Sequence, residues 1–308
     1  MANKLLLLTR ENEIYRELIT QCKLPDLIIL NDASDSIIEA DIWFAEPALA
    51  APLIDRAKNL RWLQSTFAGV DKLVMPALRR DYQLTNVRGI FGPLMSEYLF
   101  GYLLAHQREH HKYKQQQQQQ NWLPGSYKTL QGQHLLLLGT GSIAQHIAAT
   151  AKHFGMVVTG INRLGTATHG FDQVDSIDNL ACHLRQADVV ASILPNTPDT
   201  DNILNQQNLS LLKPAAIIFN LGRGNVLDLN ALTAQLNQTP NQQAILDVFT
   251  QEPLPKTHPI WSCANAIITP HIAAPSFPAQ IVALFSSNYH LWRNQQPLNY
   301  VIDFDKGY

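Results

Sequence analysis

Short apolar runs separated by amphipathic segments recur through the first hundred residues. The runs are KLLLLT, DLIIL, DIWFAE and RWLQSTFAGVD, and helical spacing appears between them in stretches such as PALAAPLIDRAK. Alternation of strand and helix is typical of a parallel sheet covered by helices. This part of the chain therefore predicts a small α/β unit.

The same alternation resumes further along the chain and continues for longer. Its apolar runs lie in HLLLLGTGSIAQHIAATAKHFG, MVVTGINR, ADVVASILP, AAIIFNLGRG, QAILDVF and AIITPHIAA. Turn residues bound each run and helix-length segments separate most of them, which predicts a second, larger doubly wound sheet. The stretch FPAQIVALFSSNYHLWRNQQ then has the pattern of one amphipathic helix.

A third pattern joins these two regions. In LMSEYLFGYLLAHQREHHKYKQQQQQQNW, apolar positions recur at helical spacing before the stretch turns polar, which predicts one long helix leading from one domain into the other. Residues Gln115 to Gln120 are interpreted as a solvated helix end or loop. His106 and His110 are four residues apart, but no set of carboxylate or cysteine ligands accompanies them, so no metal site is predicted.

Composition narrows the class of protein. The 308 residues are 46% hydrophobic and 16% charged, which is typical of a globular protein and long enough for two domains. A net charge of -2 gives no bias toward nucleic acid or an anionic membrane. Three dispersed cysteines lack disulfide or zinc spacing, and the apolar run at residues 5–8 is too short for a signal peptide. We expect a soluble, cytoplasmic protein without a nucleic-acid or membrane partner.

A glycine turn lies between the first strand and helix of the larger sheet. The segment GTGSIA at 139–144 follows an apolar strand at 135–138 and precedes a helix at 143–153. In that context, backbone N–H groups and the positive end of the helix can hold a pyrophosphate, whereas the alternative is a simple turn. The predicted dinucleotide contacts are Gly139, Gly141, Ser142 and Ile143.

The end of the next strand bears on the choice of cofactor. MVVTGI is followed by Asn162 and Arg163, where an NAD site commonly carries an acidic residue for the ribose hydroxyl. Arg163 can pair instead with a 2′-phosphate, since a guanidinium matches phosphate in both geometry and charge. We predict contacts from both residues and a preference for NADP. If Arg163 is only a solvated loop residue, the site accepts NAD as well.

Three later strands each end close to a chemically useful side chain. FNLGRG brings Arg223, LDVFTQEPLP brings Asp247 and Glu252, and ITPHIAA brings His271. The carboxyl ends of strands in an open α/β sheet face one crevice, which is also where the glycine turn would hold its cofactor. An arginine, a glutamate and a histidine can therefore meet there, although each residue alone could equally be a surface ion pair or a core residue.

Six motifs in order carry a family resemblance. They are FAGVD at 67–71, GTGSIA at 139–144, LPNTPDT at 194–200, NLGRG at 220–224, LDVFTQEPLP at 246–255 and TPHIAA at 269–274. Over roughly residues 40 to 290 the chain resembles the D-isomer-specific 2-hydroxyacid dehydrogenases, which include glyoxylate/hydroxypyruvate reductases. The resemblance implies an α/β fold with two doubly wound parallel-sheet domains, a Rossmann cofactor domain at 99–276 being inserted into a flavodoxin-like substrate domain at 1–98 and 277–308. It also implies a homodimer.

The resemblance further implies a role for each site residue. Arg223 would bind the carboxylate and carbonyl oxygen of the substrate, His271 would exchange the proton, and Glu252 would hold the imidazole. Backbone N–H groups of Ala68 and Gly69 would bind the substrate carboxylate. Further cofactor contacts would come from Pro195, Asn196, Leu221, Gly222 and Asp247.

These expectations lead to an enzymatic function. The predicted reaction is hydride transfer from NAD(P)H to a small 2-keto acid, such as glyoxylate or hydroxypyruvate, to give the D-2-hydroxy acid. The segment GIFGPLMSEYLFGYLL departs from the commoner family pattern, so the preferred acid is left open. The alternative is a cofactor-sensing protein-binding module of the same fold.

Overall fold

The computed structural model describes residues 2–31 and 34–307. The chain divides into two compact units, Met1–Ile90 with Pro275–Tyr308, and Phe91–Ala274. The first predicted boundary, after residue 98, falls inside a helix that begins at Phe91. That helix belongs wholly to the second unit because its buried residues, such as Leu99 and Leu103, pack into that unit's core.

The first unit is built on a five-stranded parallel sheet. Its strands are β1 (Asn3–Leu8), β2 (Leu27–Ile29), β3 (Ile42–Ala45), β4 (Trp62–Ser65) and β5 (Gln83–Thr85). Their spatial order is β2-β1-β3-β4-β5, which is the flavodoxin-like order. The helices of this unit are α1 (Asn12–Gln21), α2 (Ser36–Glu39), α3 (Pro47–Ala50), a 3₁₀ helix (Ala51–Arg56) and, from the later segment, α10 (Pro278–Arg293).

The later segment completes the core of this unit. Phe285 of α10 is fully buried, and its ring centroid lies 5.3 Å from those of both Phe44 and Trp62. Asn288, one turn further along α10, donates a hydrogen bond to Gln64 Oε1 at 3.2 Å. The two segments therefore share one aromatic core and one buried polar network.

The second unit contains a seven-stranded parallel sheet. Its strands are β6 (His134–Leu138), β7 (Val157–Asn162), β8 (Gln173–Ser176), β9 (Val189–Ser192), β10 (Ile217–Asn220), β11 (Gln243–Leu246) and β12 (Ala266–Ile268). The order is β12-β11-β10-β9-β6-β7-β8. The chain starts in the middle, moves to one edge and then returns to build the other half, which is the doubly wound Rossmann order. The predicted fold class is confirmed.

Helices cover both faces of this sheet. They are α4 (Phe91–Gln107), α5 (His110–Gln118), α6 (Ser142–His153), α7 (Leu180–Leu184), α8 (Gln206–Leu209) and α9 (Leu229–Gln238). Four 3₁₀ turns accompany them, Ile177–Asn179, Pro198–Thr200, Gly224–Val226 and Pro259–Ser262. Leu137 and Ile147 are buried on the face covered by α4 and α6. Among the described residues, no helix combines the length and apolar character needed to cross a membrane.

The prediction of one long helix after residue 93 was wrong. The helix ends at Gln107, and α5 begins at His110 after Glu109 adopts a left-handed conformation with φ 53°. The apolar spacing that buries α4 stops at this point, and α5 has no buried residue to hold it in line with α4. The glutamine run starts within α5 and ends in the turn that follows, on the protein surface.

Candidate active site

The glycine turn joins β6 to α6. Gly139 has φ +103°, a conformation that favours glycine, and a Cβ there would lie 3.3 Å from the carbonyl oxygen of Ile193. Gly141 is the N-cap of α6 and offers no side chain to the first helical N–H groups, and a Cβ built on it would meet nothing within 4 Å. The uncapped amides at Ser142 and Ile143 therefore face space that a pyrophosphate could enter, so the turn fits a dinucleotide.

Asn162 ties the loop after β7 to that turn. Its Nδ2 donates to Thr140 Oγ1 at 3.2 Å and to the carbonyl of Thr166 at 2.8 Å, while its Oδ1 accepts from the backbone N–H of Thr166 at 3.0 Å. Arg163, the next residue, is exposed, and its Nε lies 3.7 Å from Asp199 Oδ2. An exposed pair at this distance is weak, so the guanidinium is accessible to a ligand phosphate.

The loops after β9 and β10 pack directly on one another. Thr200 Oγ1 donates to the carbonyl of Pro195 at 2.7 Å and accepts from the backbone of Thr197 at 3.0 Å, closing the loop that contains Pro195 and Asn196. A Cβ on Gly222 would lie 2.6 Å from the carbonyl oxygen of Leu194. Gly222 is therefore required by close backbone contact, and this contact brings the two loops together at the carboxyl edge of the sheet.

Asn220 and Gly224 shape the loop that carries Arg223. Asn220 is fully buried at the end of β10, and its Nδ2 donates to the carbonyl of Arg223 at 3.0 Å. A Cβ on Gly224 would lie 2.0 Å from the carbonyl carbon of Phe249, so the loops after β10 and β11 also touch through their backbones. Asn220 was missed from the sequence, although a polar residue ending the apolar strand AAIIFN was a usable signal.

His271 and Glu252 form a hydrogen-bonded pair. The imidazole Nδ1 lies 2.9 Å from Glu252 Oε2, and Glu252 Oε1 accepts the backbone N–H of Phe249 at 2.9 Å. The two side chains are 57% and 36% exposed. With Nδ1 held by the carboxylate, Nε2 is the ring atom that can exchange a proton with a ligand.

The buried carboxylate of Asp247 organises the backbone around His271. Its Oδ1 accepts from the backbone N–H of Ile272 at 2.8 Å and its Oδ2 from that of Ala273 at 2.9 Å. The N–H of His271 itself donates to the carbonyl of Asp247 at 2.9 Å. Both carboxylate oxygens thus contact the histidine loop, whereas the predicted contact of Asp247 with the cofactor stays a prediction.

The two predicted substrate contacts outside this unit, Ala68 and Gly69, lie in the loop after β4. Asn86 Nδ2 donates to the carbonyl of Ala68 at 2.7 Å. The backbone N–H of Val87 donates to the carbonyl of Phe67 at 3.2 Å. Both contacts are made by the segment after β5. They fix a loop of small residues whose backbone an anion can approach closely.

Comparison with known proteins identifies the family. Residues 100–273 match the model of the D-isomer specific 2-hydroxyacid dehydrogenase NAD-binding domain. The glyoxylate/hydroxypyruvate reductase A of Serratia proteamaculans (strain 568) is 34% identical over 214 residues, which cover 70% of this chain and 68% of that protein.

Solved structures agree with this match. A D-isomer specific 2-hydroxyacid dehydrogenase family protein from Aeromonas salmonicida subsp. salmonicida A449 is 48% identical with a TM-score of 0.90, covering 99% of this chain and 100% of that one. The NADPH-dependent glyoxylate/hydroxypyruvate reductase of Sinorhizobium meliloti, solved with NADP and sulfate, shares the fold at 24% identity, with a TM-score of 0.88 and full coverage of both chains. The glycine turn, the arginine loop and the histidine–glutamate pair thus lie in a chain that belongs to the D-isomer-specific 2-hydroxyacid dehydrogenase family.

Proposed function

We propose that the protein reduces a small 2-keto acid to the D-2-hydroxy acid and prefers NADPH as the hydride source. The observation that carries this proposal is the pair formed by His271 Nδ1 and Glu252 Oε2 at 2.9 Å. The loop of Glu252 is in backbone contact with that of Arg223, through Gly224 and Phe249. A proton donor and a guanidinium on adjoining loops suit reduction of a carbonyl that stands beside a carboxylate.

His271 is the proposed acid. Glu252 holds Nδ1, and this fixes both the ring orientation and the tautomer, so that Nε2–H of the protonated ring faces the substrate. In the reductive direction the proton moves from Nε2 to the carbonyl oxygen and the imidazole becomes neutral. In the reverse direction neutral His271 takes the hydroxyl proton.

Arg223 is the proposed anchor for the substrate. A guanidinium can bind the carboxylate and the adjacent carbonyl oxygen together, and it stabilises the negative charge that develops on that oxygen. When bound, the nicotinamide supplies the hydride for the carbonyl carbon. Asn220 contributes indirectly because its side chain holds the carbonyl of Arg223.

The proposed cofactor contacts follow the loops at the carboxyl edge of the larger sheet. The amides at Gly141, Ser142 and Ile143 suit the pyrophosphate, and Arg163 suits a 2′-phosphate. The other contacts are Gly139, Asn162, Pro195, Asn196, Leu221, Gly222 and Asp247. Because Arg163 is exposed and paired only at 3.7 Å with Asp199, NAD is retained as the weaker alternative cofactor.

The substrate class is proposed to be small 2-keto acids of the glyoxylate or hydroxypyruvate type. The support is similarity to a protein named glyoxylate/hydroxypyruvate reductase A at 34% identity. Ala68 and Gly69 are proposed to bind the substrate carboxylate through their backbone N–H groups. We also propose that the protein is cytoplasmic and forms a homodimer. Light scattering of the purified protein measures its oligomeric state.

Initial rates test the reaction. NADPH and NADH oxidation is followed with glyoxylate, hydroxypyruvate, pyruvate and a bulkier 2-keto acid, with His271→Ala as the matched variant. We expect rapid NADPH oxidation that depends on the acid and on His271. Tight NADPH binding without turnover of any acid would contradict the proposal and favour a cofactor-sensing protein-binding module.

A further inference from the structure

A buried chain of hydrogen bonds runs from α4 to the loop of His271. The hydroxyl of Tyr98 lies 2.5 Å from Thr269 Oγ1, and Thr269 Oγ1 donates to Asp247 Oδ1 at 2.6 Å. The Asp247 carboxylate then accepts the backbone N–H groups of Ile272 and Ala273, the two residues that follow His271. These contacts all lie within the second unit and link residues 98, 247 and 269–273.

The chemistry of the three side chains determines which group donates and which accepts in each of these hydrogen bonds. A carboxylate only accepts, so the single hydroxyl hydrogen of Thr269 points at Asp247. The hydroxyl of Tyr98 must then donate to Thr269 Oγ1. Burial raises the pKa of Tyr98 well above its ordinary value, so the hydroxyl keeps the proton that this contact needs.

The loop that receives these contacts is in a costly conformation. His271 has φ 56°, in the left-handed region that non-glycine residues seldom adopt, and its side chain is 57% exposed. Solvent-exposed packing does little to hold it there. Asp247, by contrast, is 1% exposed and Thr269 is 8% exposed. Buried hydrogen bonds on the inner side of the loop therefore maintain the backbone from which the imidazole projects.

We propose that Tyr98 and Thr269 are positioning residues for proton exchange at His271, acting through the carboxylate of Asp247. This inference rests on the proposed reductase function. Glu252 orients the ring from the outside through Nδ1, whereas the chain from Tyr98 fixes the backbone that carries the ring. Tyr98 and Thr269 touch neither the imidazole nor Glu252 by a described hydrogen bond, so their effect is on placement alone.

Removal of single hydroxyl groups tests the inference. Thr269→Val replaces the hydroxyl by a methyl group of similar size, Thr269→Ser retains the hydroxyl, and Tyr98→Phe removes only the phenolic oxygen. We expect kcat to fall about 100-fold in Thr269→Val and about tenfold in Tyr98→Phe, because a displacement of about 1 Å in a catalytic group can cost two orders of magnitude. Thr269→Ser should restore most of the rate. The dissociation constant of NADPH should change far less than kcat in all three, because the proposed pyrophosphate and 2′-phosphate contacts lie in other loops.

Two further measurements separate positioning from general loss of stability. Because both hydroxyls act along one chain, the double variant Tyr98→Phe/Thr269→Val should be no slower than Thr269→Val alone. Amide hydrogen exchange at Ile272 and Ala273 should accelerate in both single variants, as their acceptor loosens. Tyr289→Phe is the matched control, since it also removes a buried hydroxyl, which donates to the carbonyl of Pro25 in the other unit. It should lower stability without altering kcat or exchange in the 269–273 loop.

The outcomes are distinguishable. Wild-type kcat together with unchanged amide exchange in Thr269→Val would overturn the inference, as would fully additive losses in the double variant. If the wild-type protein reduces no 2-keto acid, the proposed function fails while exchange at Ile272 and Ala273 still reports whether Tyr98 and Thr269 hold the loop. Faster amide exchange in that case would show that Tyr98 and Thr269 hold the loop of His271. It would also show that they have no role in proton exchange, so the proposal would be wrong together with the proposed function.

Discussion

Glu252 is held on both of its oxygens, by His271 Nδ1 on Oε2 and by the backbone N–H of Phe249 on Oε1, each at 2.9 Å. The carboxylate is therefore oriented by its own loop as it orients the imidazole. Two acceptors are needed at once, and an ionised carboxylate supplies them. This relationship gives a specific expectation for isosteric substitution.

Glu252→Gln should lower kcat by about 10- to 100-fold, because an amide has one acceptor oxygen and leaves either the Phe249 N–H or the ring N–H facing an NH₂ group. His271→Ala should lower it further, by about 10²–10⁴-fold, through loss of the proton donor. NADPH affinity should be nearly unchanged in both. Stopped-flow single turnovers with separate fluorescence titrations measure the two quantities. Gln251→Ala, an exposed neighbour, is the control and should behave as wild type.

Substitutions of Arg163 and Asp199 should have opposite effects on the KM for NADPH. Arg163→Ala should raise the KM for NADPH about 10- to 100-fold through loss of a charged contact, with little effect on NADH. Asp199→Asn should lower the KM for NADPH about two- to fivefold, because it removes a weak competitor for the guanidinium. If the ratio of the KM for NADPH to the KM for NADH is unchanged in Arg163→Ala, Arg163 is only a solvated loop residue and does not select the cofactor.

Gly141 offers a test of the cofactor site that is independent of stability. A Cβ meets nothing there within 4 Å, so Gly141→Ala should fold normally, yet the added methyl group would occupy the approach to the pyrophosphate. NADPH and NADH should both bind more weakly and to a similar extent. Gly101→Ala in α4 has equally open space and should instead raise stability by about 0.5–1 kcal/mol with unchanged cofactor affinity. Calorimetric titration measures the cofactor affinity of both variants, and thermal unfolding measures their stability.

Gly224 is predicted to be intolerant of any side chain. Its Cβ would lie 2.0 Å from the carbonyl carbon of Phe249 and 2.2 Å from the nitrogen of Thr250, and both are backbone atoms. Gly224→Ala should therefore destabilise the protein by about 1–3 kcal/mol or more and displace Arg223. Chemical denaturation measures the loss. A variant with wild-type stability and turnover would show that the two loops can separate at no cost.

Asp175 makes stability depend on pH. A hydrogen bond to His183 Nε2 at 2.9 Å, followed by contacts from Asn179 and the backbone of Ser176, lowers the pKa of Asp175 to about 2. Because this lies below the unfolded value of about 3.9, the stabilisation is complete above about pH 4 and is lost as the pH falls toward about 2. Asp175→Asn should be less stable than wild type by a constant amount from neutral pH to about pH 5, and the difference should shrink below about pH 4. Urea denaturation at each pH measures it, and a constant offset down to pH 3 would contradict this.

Much of the fold could be predicted because it depends on local patterns. The glycine turn at Gly139 and Gly141 lay between a clear strand and a clear helix, and the structure places both elements there. The strand β8, QVDS, was not predicted because it lies at the edge of the sheet and carries polar residues that solvent tolerates. The end of α4 was also missed, since nothing in the local pattern marks the left-handed Glu109.

The residues of the candidate site could be predicted, but some of the contacts that hold them could not. Glu252 and His271 could be assigned to one crevice because each follows a strand of the same sheet. Their pairing was an implication of the family resemblance. The contact of Thr269 with Tyr98 could not be predicted, because it joins positions 171 residues apart. Hydrogen bonds between such distant positions depend on how α4 packs against the sheet, which a single sequence does not encode in any short motif.

The aromatic core of the first unit has a consequence for biosynthesis. Phe285 packs against both Phe44 and Trp62, yet it is translated about 240 codons after Phe44. Residues 91–274 are made as one uninterrupted stretch before α10, so β1 to β5 lack the helix that completes their core throughout that interval. The unit whose synthesis begins first is therefore the last to complete its core.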